Sequence, residues 1–200
     1  MLHLILVTDD RLVAQRDLVT LCRAAELGGA TSVQLRLKDT PPRDLLAALR
    51  SLQTSLGIPV LVNDRADVAL AGGAAGVHLG PDDVPGPLIR RLAPRGFLIG
   101  ASVGSAAEVE GGRGADYWGI GPWRSTTTKS DAGAALGREG FAAVVRLAEG
   151  RPCVAIGGVE PEDVTAILAA GGAGVAVVSG ILAAADVTVA TRRYAEALKG

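Results

Sequence analysis

Short β-rich apolar runs alternate with longer amphipathic stretches along the whole chain, and this alternation constrains the fold more than any other feature. Eight runs stand out, at 2–7, 32–37, 60–63, 76–79, 98–102, 117–120, 153–156 and 175–178, each with a helix-length stretch after it. Strands that alternate with helices pair in parallel, and parallel strands are covered on both faces, so they need not alternate strictly between apolar and polar residues. A weak internal repeat supports equivalent units. Gly-Gly-Ala-Thr-Ser-Val at 28–33, Gly-Gly-Ala-Ala-Gly-Val at 72–77 and Gly-Gly-Ala-Gly-Val at 171–175 each join a helix to the next strand, with Gly114-Ala115-Asp116 as a looser fourth copy.

Eight βα units close into a barrel or lie as an open doubly wound sheet. No Gly-x-Gly-x-x-Gly follows the first run, and polar residues cluster after nearly every run rather than at one crevice. The reading is therefore α/β, a single (β/α)₈ TIM barrel over residues 1–200, a length at the bottom of the range for that fold and too short for a second domain. The 48% hydrophobic content suffices for its core.

Twenty Lys and Arg against 21 Asp and Glu give a formal net charge of -1, so no global basic field draws in nucleic acid or an anionic membrane. Anion binding has to be local. The short apolar run at the start is followed by acids and lacks a basic flank, which fits neither a signal peptide nor a span; a cytoplasmic protein is expected. Cys22 and Cys153 have neither metal-ligand spacing nor the density of a disulfide scaffold, and read as reduced packing residues.

The chemistry is expected in the loops after the strands. Gln34, Arg36 and Lys38 alternate at period two, so they share one face and suit an anion such as a diphosphate; a rim ion-pair network is the competing reading. Asn63-Asp64-Arg65 and Asp82-Asp83 end adjacent strands, and Asp64 and Asp83 suit Mg²⁺, which takes one or two protein carboxylates; the competing reading makes either a helix N-cap. Gly121 to Lys129, with Trp123 and Ser125-Thr126-Thr127-Thr128, suits a lid over a phosphorylated ligand or a plain solvated loop. Gly157-Gly158 and Ser179-Gly180 follow the last two strands, where barrels commonly hold phosphate on backbone amides. His78 reads as a hydrogen-bonded structural histidine. There is no nucleophile elbow and no dinucleotide fingerprint.

These residues resemble the thiamine-phosphate synthase family and its close relative thiazole tautomerase. The resemblance covers nearly the whole chain through Gln34-Leu35-Arg36-Leu37-Lys38, Val62-Asn63-Asp64-Arg65-Ala66-Asp67, Gly76-Val77-His78-Leu79-Gly80 leading to Asp83, Gly100-Ala101-Ser102, Gly119-Ile120-Gly121-Pro122, Thr126-Thr127-Thr128-Lys129, Gly157-Gly158 and Val178-Ser179-Gly180. It implies a transferase that joins hydroxymethylpyrimidine diphosphate to thiazole phosphate, giving thiamine phosphate and pyrophosphate. By position, Gln34, Leu35, Arg36, Leu37, Lys38, Asn63, Ser102 and Lys129 would hold the diphosphate, with Asp64 and Asp83 on Mg²⁺. Thr126, Thr127, Thr128, Gly158, Val178 and Ser179 would hold the thiazole phosphate, and Arg36, Lys38 and Lys129 would neutralise the leaving group. Departures are Leu37 where the synthase often has Glu, Ser125 where Pro precedes the threonines, and Gly104 where relatives carry His. The last counts against the tautomerase. A non-catalytic phosphate-binding regulator is the third reading, and the sequence leaves a homodimer open.

Overall fold

In a computed structural model that describes residues 1–125 and 133–200, eight parallel strands form one closed barrel in chain order. They are β1 (Leu4–Val7), β2 (Ser32–Leu35), β3 (Val60–Asn63), β4 (Gly76–Leu79), β5 (Leu98–Ser102), β6 (Tyr117–Ile120), β7 (Cys153–Ile156) and β8 (Gly174–Val177). β8 closes on β1 with Ile5 opposite Ala176. The open-sheet alternative is thereby excluded.

The helices are α1 (Asp10–Val13), α2 (Leu18–Gly28), α3 (Pro42–Ser55), α4 (Ala66–Ala71), α5 (Gly86–Arg90), α6 (Gly137–Arg146), α7 (Val164–Ala169), α8 (Ser179–Leu182) and α9 (Val187–Ala197). Asp17 and Asp186 start α2 and α9 by accepting the amides of Thr20 and Val189. The Gly-Gly-Ala repeat is a helix-ending device: Gly29, Gly73 and Gly171 sit at φ of 105°, 63° and 92° where α2, α4 and α7 turn into β2, β4 and β8, a conformation that glycine reaches without a Cβ penalty.

Period two divides the barrel into two cores. Leu4, Leu6, Val33, Leu35, Val60, Val62, Val77, Leu79, Trp118 and Ile120 point outward and pack with the helices. Ile5, Val7, Leu61, Tyr117, Val154 and Ala176 fill the lumen. Tyr117 is the largest lumen side chain and 1% exposed. Its ring fits because β5 has glycine opposite: a Cβ on Gly100 would lie 2.3 Å from Tyr117 Cζ.

Four expectations need correction. β2 stops at Leu35 rather than residue 37, because β1 ends at Val7 and side chains replace strand pairing beyond it; β1 also starts at Leu4 and β8 runs one residue earlier. No α-helix follows β5. That connection holds only a 3₁₀ turn at Ala106–Glu108. Glycines at 111, 112 and 114 disfavour a helix, and the Trp118 indole occupies the space, donating to Gly112 O at 2.9 Å while a Cβ on Gly112 would lie 2.6 Å from its nitrogen. Cys22 and Cys153 are buried and unbridged, as expected.

Candidate active site

The carboxyl ends of the strands surround a cavity of about 660 Å³. Gln34, Arg36 and Lys38 line it from β2 and its extension, so alternation carries the cations past the strand's end. Gln34 is 4% exposed. The same alternation turns the two leucines between them away. Leu35 is fully buried in the layer between barrel and helices and Leu37 packs against that layer, so neither side chain lines the cavity.

The β1 loop supports this cationic wall. The Arg36 guanidinium pairs with Asp9 at 3.2 Å, with the two side chains 15% and 12% exposed. Thr8 Oγ1 accepts the Arg36 amide at 2.8 Å and donates to the Arg36 carbonyl at 3.1 Å.

Beside it, after β3 and β4, stand the carboxylates. Asp64 follows β3 at φ 63°, a left-handed conformation that aspartate tolerates better than most residues, and its amide donates to His78 O at 2.8 Å. Asp83 accepts the Gly80 amide at 2.6 Å. Lys38 Nζ lies 3.9 Å from Asp64 Oδ2. Burial, and then the neighbouring Asp64, push the Asp83 carboxyl up to about 6, while the Gly80 amide and Lys38 pull the other way. Neither residue caps a helix, since α4 and α5 are entered through Arg65 and Pro85. Among the described residues no group of three or more His, Cys, Asp or Glu side chains gathers as a metal cluster. Two hard oxygen donors at the mouth of a cavity match the few protein ligands Mg²⁺ requires, water and phosphate supplying the rest.

At the centre His78 bridges Tyr117 Oη at 3.0 Å and Ser102 Oγ at 3.1 Å. It is hydrogen-bonded as expected, and it also lines the cavity. Asn63 and Ser102 line it beside His78.

The remaining wall is backbone. Gly157 and Gly158 take φ of 90° and 65° after β7. Val178 and Ser179 line the cavity where α8 begins, and the first amides of a helix have no carbonyl within it to meet. The turn after β7 is fixed from above: Arg124 donates twice to Asp163, at 2.9 and 2.5 Å, and Asp163 also accepts the Glu160 amide at 2.9 Å. Burial opposes charge on Asp163, yet these bonds hold its carboxyl below the ordinary value. A Cβ on Gly158 would lie 2.9 Å from Arg124 Cβ, so glycine serves both the turn and the loop above it. Trp123 is buried edge-on against Phe141 and does not line the cavity. Thr126, Thr127, Thr128 and Lys129 lie outside the described residues.

Gly104 is closed to larger residues. Its amide donates to Glu108 at 2.8 Å, and a Cβ there would lie 2.8 Å from Gly121 O. A histidine would displace the loop after β6.

Fold and site define a (β/α)₈ barrel enzyme whose cavity has a cationic wall, a carboxylate pair and a glycine-lined backbone wall. The family model described as Thiamine monophosphate synthase matches residues 4–181. The thiamine-phosphate synthase of Methanoculleus marisnigri is 45% identical over 194 residues, covering 94% of this chain and 92% of that one. That of Xanthobacter autotrophicus is 47% identical over 196 residues, covering 96% and 92%. Among solved structures, thiamine phosphate pyrophosphorylase from Pyrococcus furiosus superposes with a TM-score of 0.86 at 35% identity, covering 99% of this chain and 96% of that one. A 3-hexulose-6-phosphate synthase structure, at TM-score 0.74 and 15% identity, shares the fold alone. This chain belongs to the thiamine monophosphate synthase family, and thiamine phosphate synthesis is its function. Among the described residues no helix is long and apolar enough to cross a membrane.

Proposed function

We propose that the cavity condenses hydroxymethylpyrimidine diphosphate with thiazole phosphate, that Asp64 and Asp83 hold Mg²⁺, and that the two anions occupy opposite walls. The carrying observation is the facing of Asp64 and Asp83 with Lys38 3.9 Å from Asp64, because a carboxylate pair beside a cation suits a metal-bound diphosphate. Arg36 and Lys38 supply positive charge where the leaving pyrophosphate accumulates negative charge, and Gln34, Asn63 and Ser102 supply hydrogen bonds around the pyrimidine diphosphate. Bound Mg²⁺ would supply further charge neutralisation at the diphosphate oxygens. The methylene carbon–oxygen bond breaks with its electron pair going to pyrophosphate, the aminopyrimidine delocalises the charge left on the methylene, and the thiazole nitrogen forms the new bond. No protein nucleophile takes part. Gly158, Val178 and Ser179 offer the thiazole phosphate backbone and hydroxyl donors; by resemblance Thr126, Thr127 and Thr128 complete that set and Lys129 joins the diphosphate set. Gly104 disfavours the tautomerase reading, for which histidine there moves the proton.

The test is pyrophosphate release from purified protein, with thiamine phosphate identified by mass. Release should require both substrates and Mg²⁺, and Asp64→Ala and Asp83→Ala should each remove most of it. Near-wild-type rates in both variants would defeat the metal assignment.

A further inference from the structure

We infer that Thr8, Asp9 and Asp10, at the carboxyl end of β1, are positioning residues that aim the cationic arm of the site. The inference rests on the reading of Arg36 as a diphosphate contact. β2 stops at Leu35, so Arg36 to Asp39 lie beyond the ladder that would fix their direction. Their backbone is held from the β1 side by side chains. Thr8, fully buried, takes the place of a strand partner for Arg36 by accepting its amide and donating to its carbonyl. Asp10 accepts the amides of Lys38 at 2.7 Å and Asp39 at 3.3 Å. Asp9 Oδ2 accepts from Arg36 Nη1 at 3.2 Å, and its Oδ1 accepts the Arg11 amide at the start of α1.

A guanidinium has five donors in a rigid fork, so the bond from Arg36 Nη1 to Asp9 restricts where the remaining donors can turn. Arg36 lines the cavity, and the fork held by Asp9 directs its remaining donors. Lys38 is reached through the backbone that Asp10 grips. Each side chain of this tripeptide thus controls a different part of the arm: its strand-like direction, the placement of the guanidinium, and the exit of the chain after Lys38.

Asp9→Asn isolates the effect, because asparagine caps a helix as well as aspartate does but turns an amide donor or neutral oxygen toward Arg36. It leaves the site one charge more positive, so ground-state anion binding should not suffer. We expect kcat to fall on the order of ten- to a hundredfold, the scale set by misplacing a catalytic group, with KM for the pyrimidine diphosphate unchanged or lower and thermal melting unchanged. A merely structural residue would not give that split. In an Arg36→Ala background Asp9→Asn should cost nothing further. Thr8→Ser should retain the wild-type rate and Thr8→Val lose it, which provides a second route if Asp9→Asn melts early. Wild-type kcat in Asp9→Asn beside an impaired Arg36→Ala would overturn the positioning role alone, as would a loss of full size in the Arg36→Ala background. Wild-type rates in Arg36→Ala itself would instead overturn the diphosphate reading on which the role depends.

Discussion

Asp64→Asn should leave the metal-free protein as stable as the parent or more so, while removing most of its metal-dependent turnover. Asparagine tolerates φ of 63° as well as aspartate does, so the backbone term is nearly constant and only charge changes. The variant loses the Lys38 contact, which at 3.9 Å with side chains 47% and 32% exposed contributes about 0.5 kcal/mol or less. It also loses the repulsion that helps raise the Asp83 carboxyl, on the order of 1 kcal/mol for close unit charges in water and more once partly desolvated. The balance is a gain of up to about 1 kcal/mol, or about 2–4 °C in Tm for a chain of this size. The gain should depend on pH. Asp83 titrates in the folded protein at about 6 against an ordinary 3.8, so the folded state holds that proton more tightly than the unfolded state and loses stability as pH rises between those values. Asp64→Asn should therefore match the parent near pH 4 and exceed it above pH 6. Burial, the larger cause, remains in the variant and keeps part of the shift. Thermal melts across that range without divalent ions, repeated with Mg²⁺, measure this directly: Mg²⁺ should raise the parent's Tm and not the variant's. A variant melting several degrees below the parent at neutral pH would refute the argument, since it would make the Asp64 carboxylate a structural group.

Gly158→Ala should strain the turn at φ 65° by about 1 kcal/mol and push against Arg124 Cβ; KM for the thiazole phosphate should rise about tenfold or more with KM for the pyrimidine diphosphate unchanged, as initial-rate kinetics in each substrate would check. A rise in the diphosphate KM alone would place the thiazole phosphate elsewhere. Both thiols should resist modification in the native state, because burial pushes Cys22 up to about 12 and Cys153 up to about 11. Labelling with a chromogenic disulfide reagent should be slow until denaturant is added and then count two thiols; rapid native labelling of either would contradict its packing.

The barrel was legible because each strand is a short, largely apolar run and the returns carry punctuation, most clearly the glycines that end α2, α4 and α7. The missing helix after β5 was harder to read. That stretch is long enough for a helix; its glycines at 111, 112 and 114 argue against one, and the position of the Trp118 ring against Gly112 shows why none packs there. In the site, period-two reasoning put Gln34, Arg36 and Lys38 into the lumen, and the same rule, applied strictly, turns Leu35 and Leu37 out of it. Family resemblance suggested those leucines as contacts because a motif names residues in order without saying which face each takes.

The acids after β1 show where sequence reading stops for a physical reason. Asp9 and Arg36 are 27 positions apart, and nothing in either neighbourhood names the other. Their pairing follows from parallel register, Val7 opposite Gln34, which places the residues just beyond both strands side by side. Two expectations that were each legible, that β1 and β2 are adjacent and that both carry polar residues past their ends, together predict a contact between Thr8-Asp9-Asp10 and the arm from Arg36 to Lys38. In a parallel barrel, polar residues just past one strand should be tested against those past the next before either is assigned to solvent or to substrate. Here that comparison turns acids without an assigned role into the support of the cationic wall.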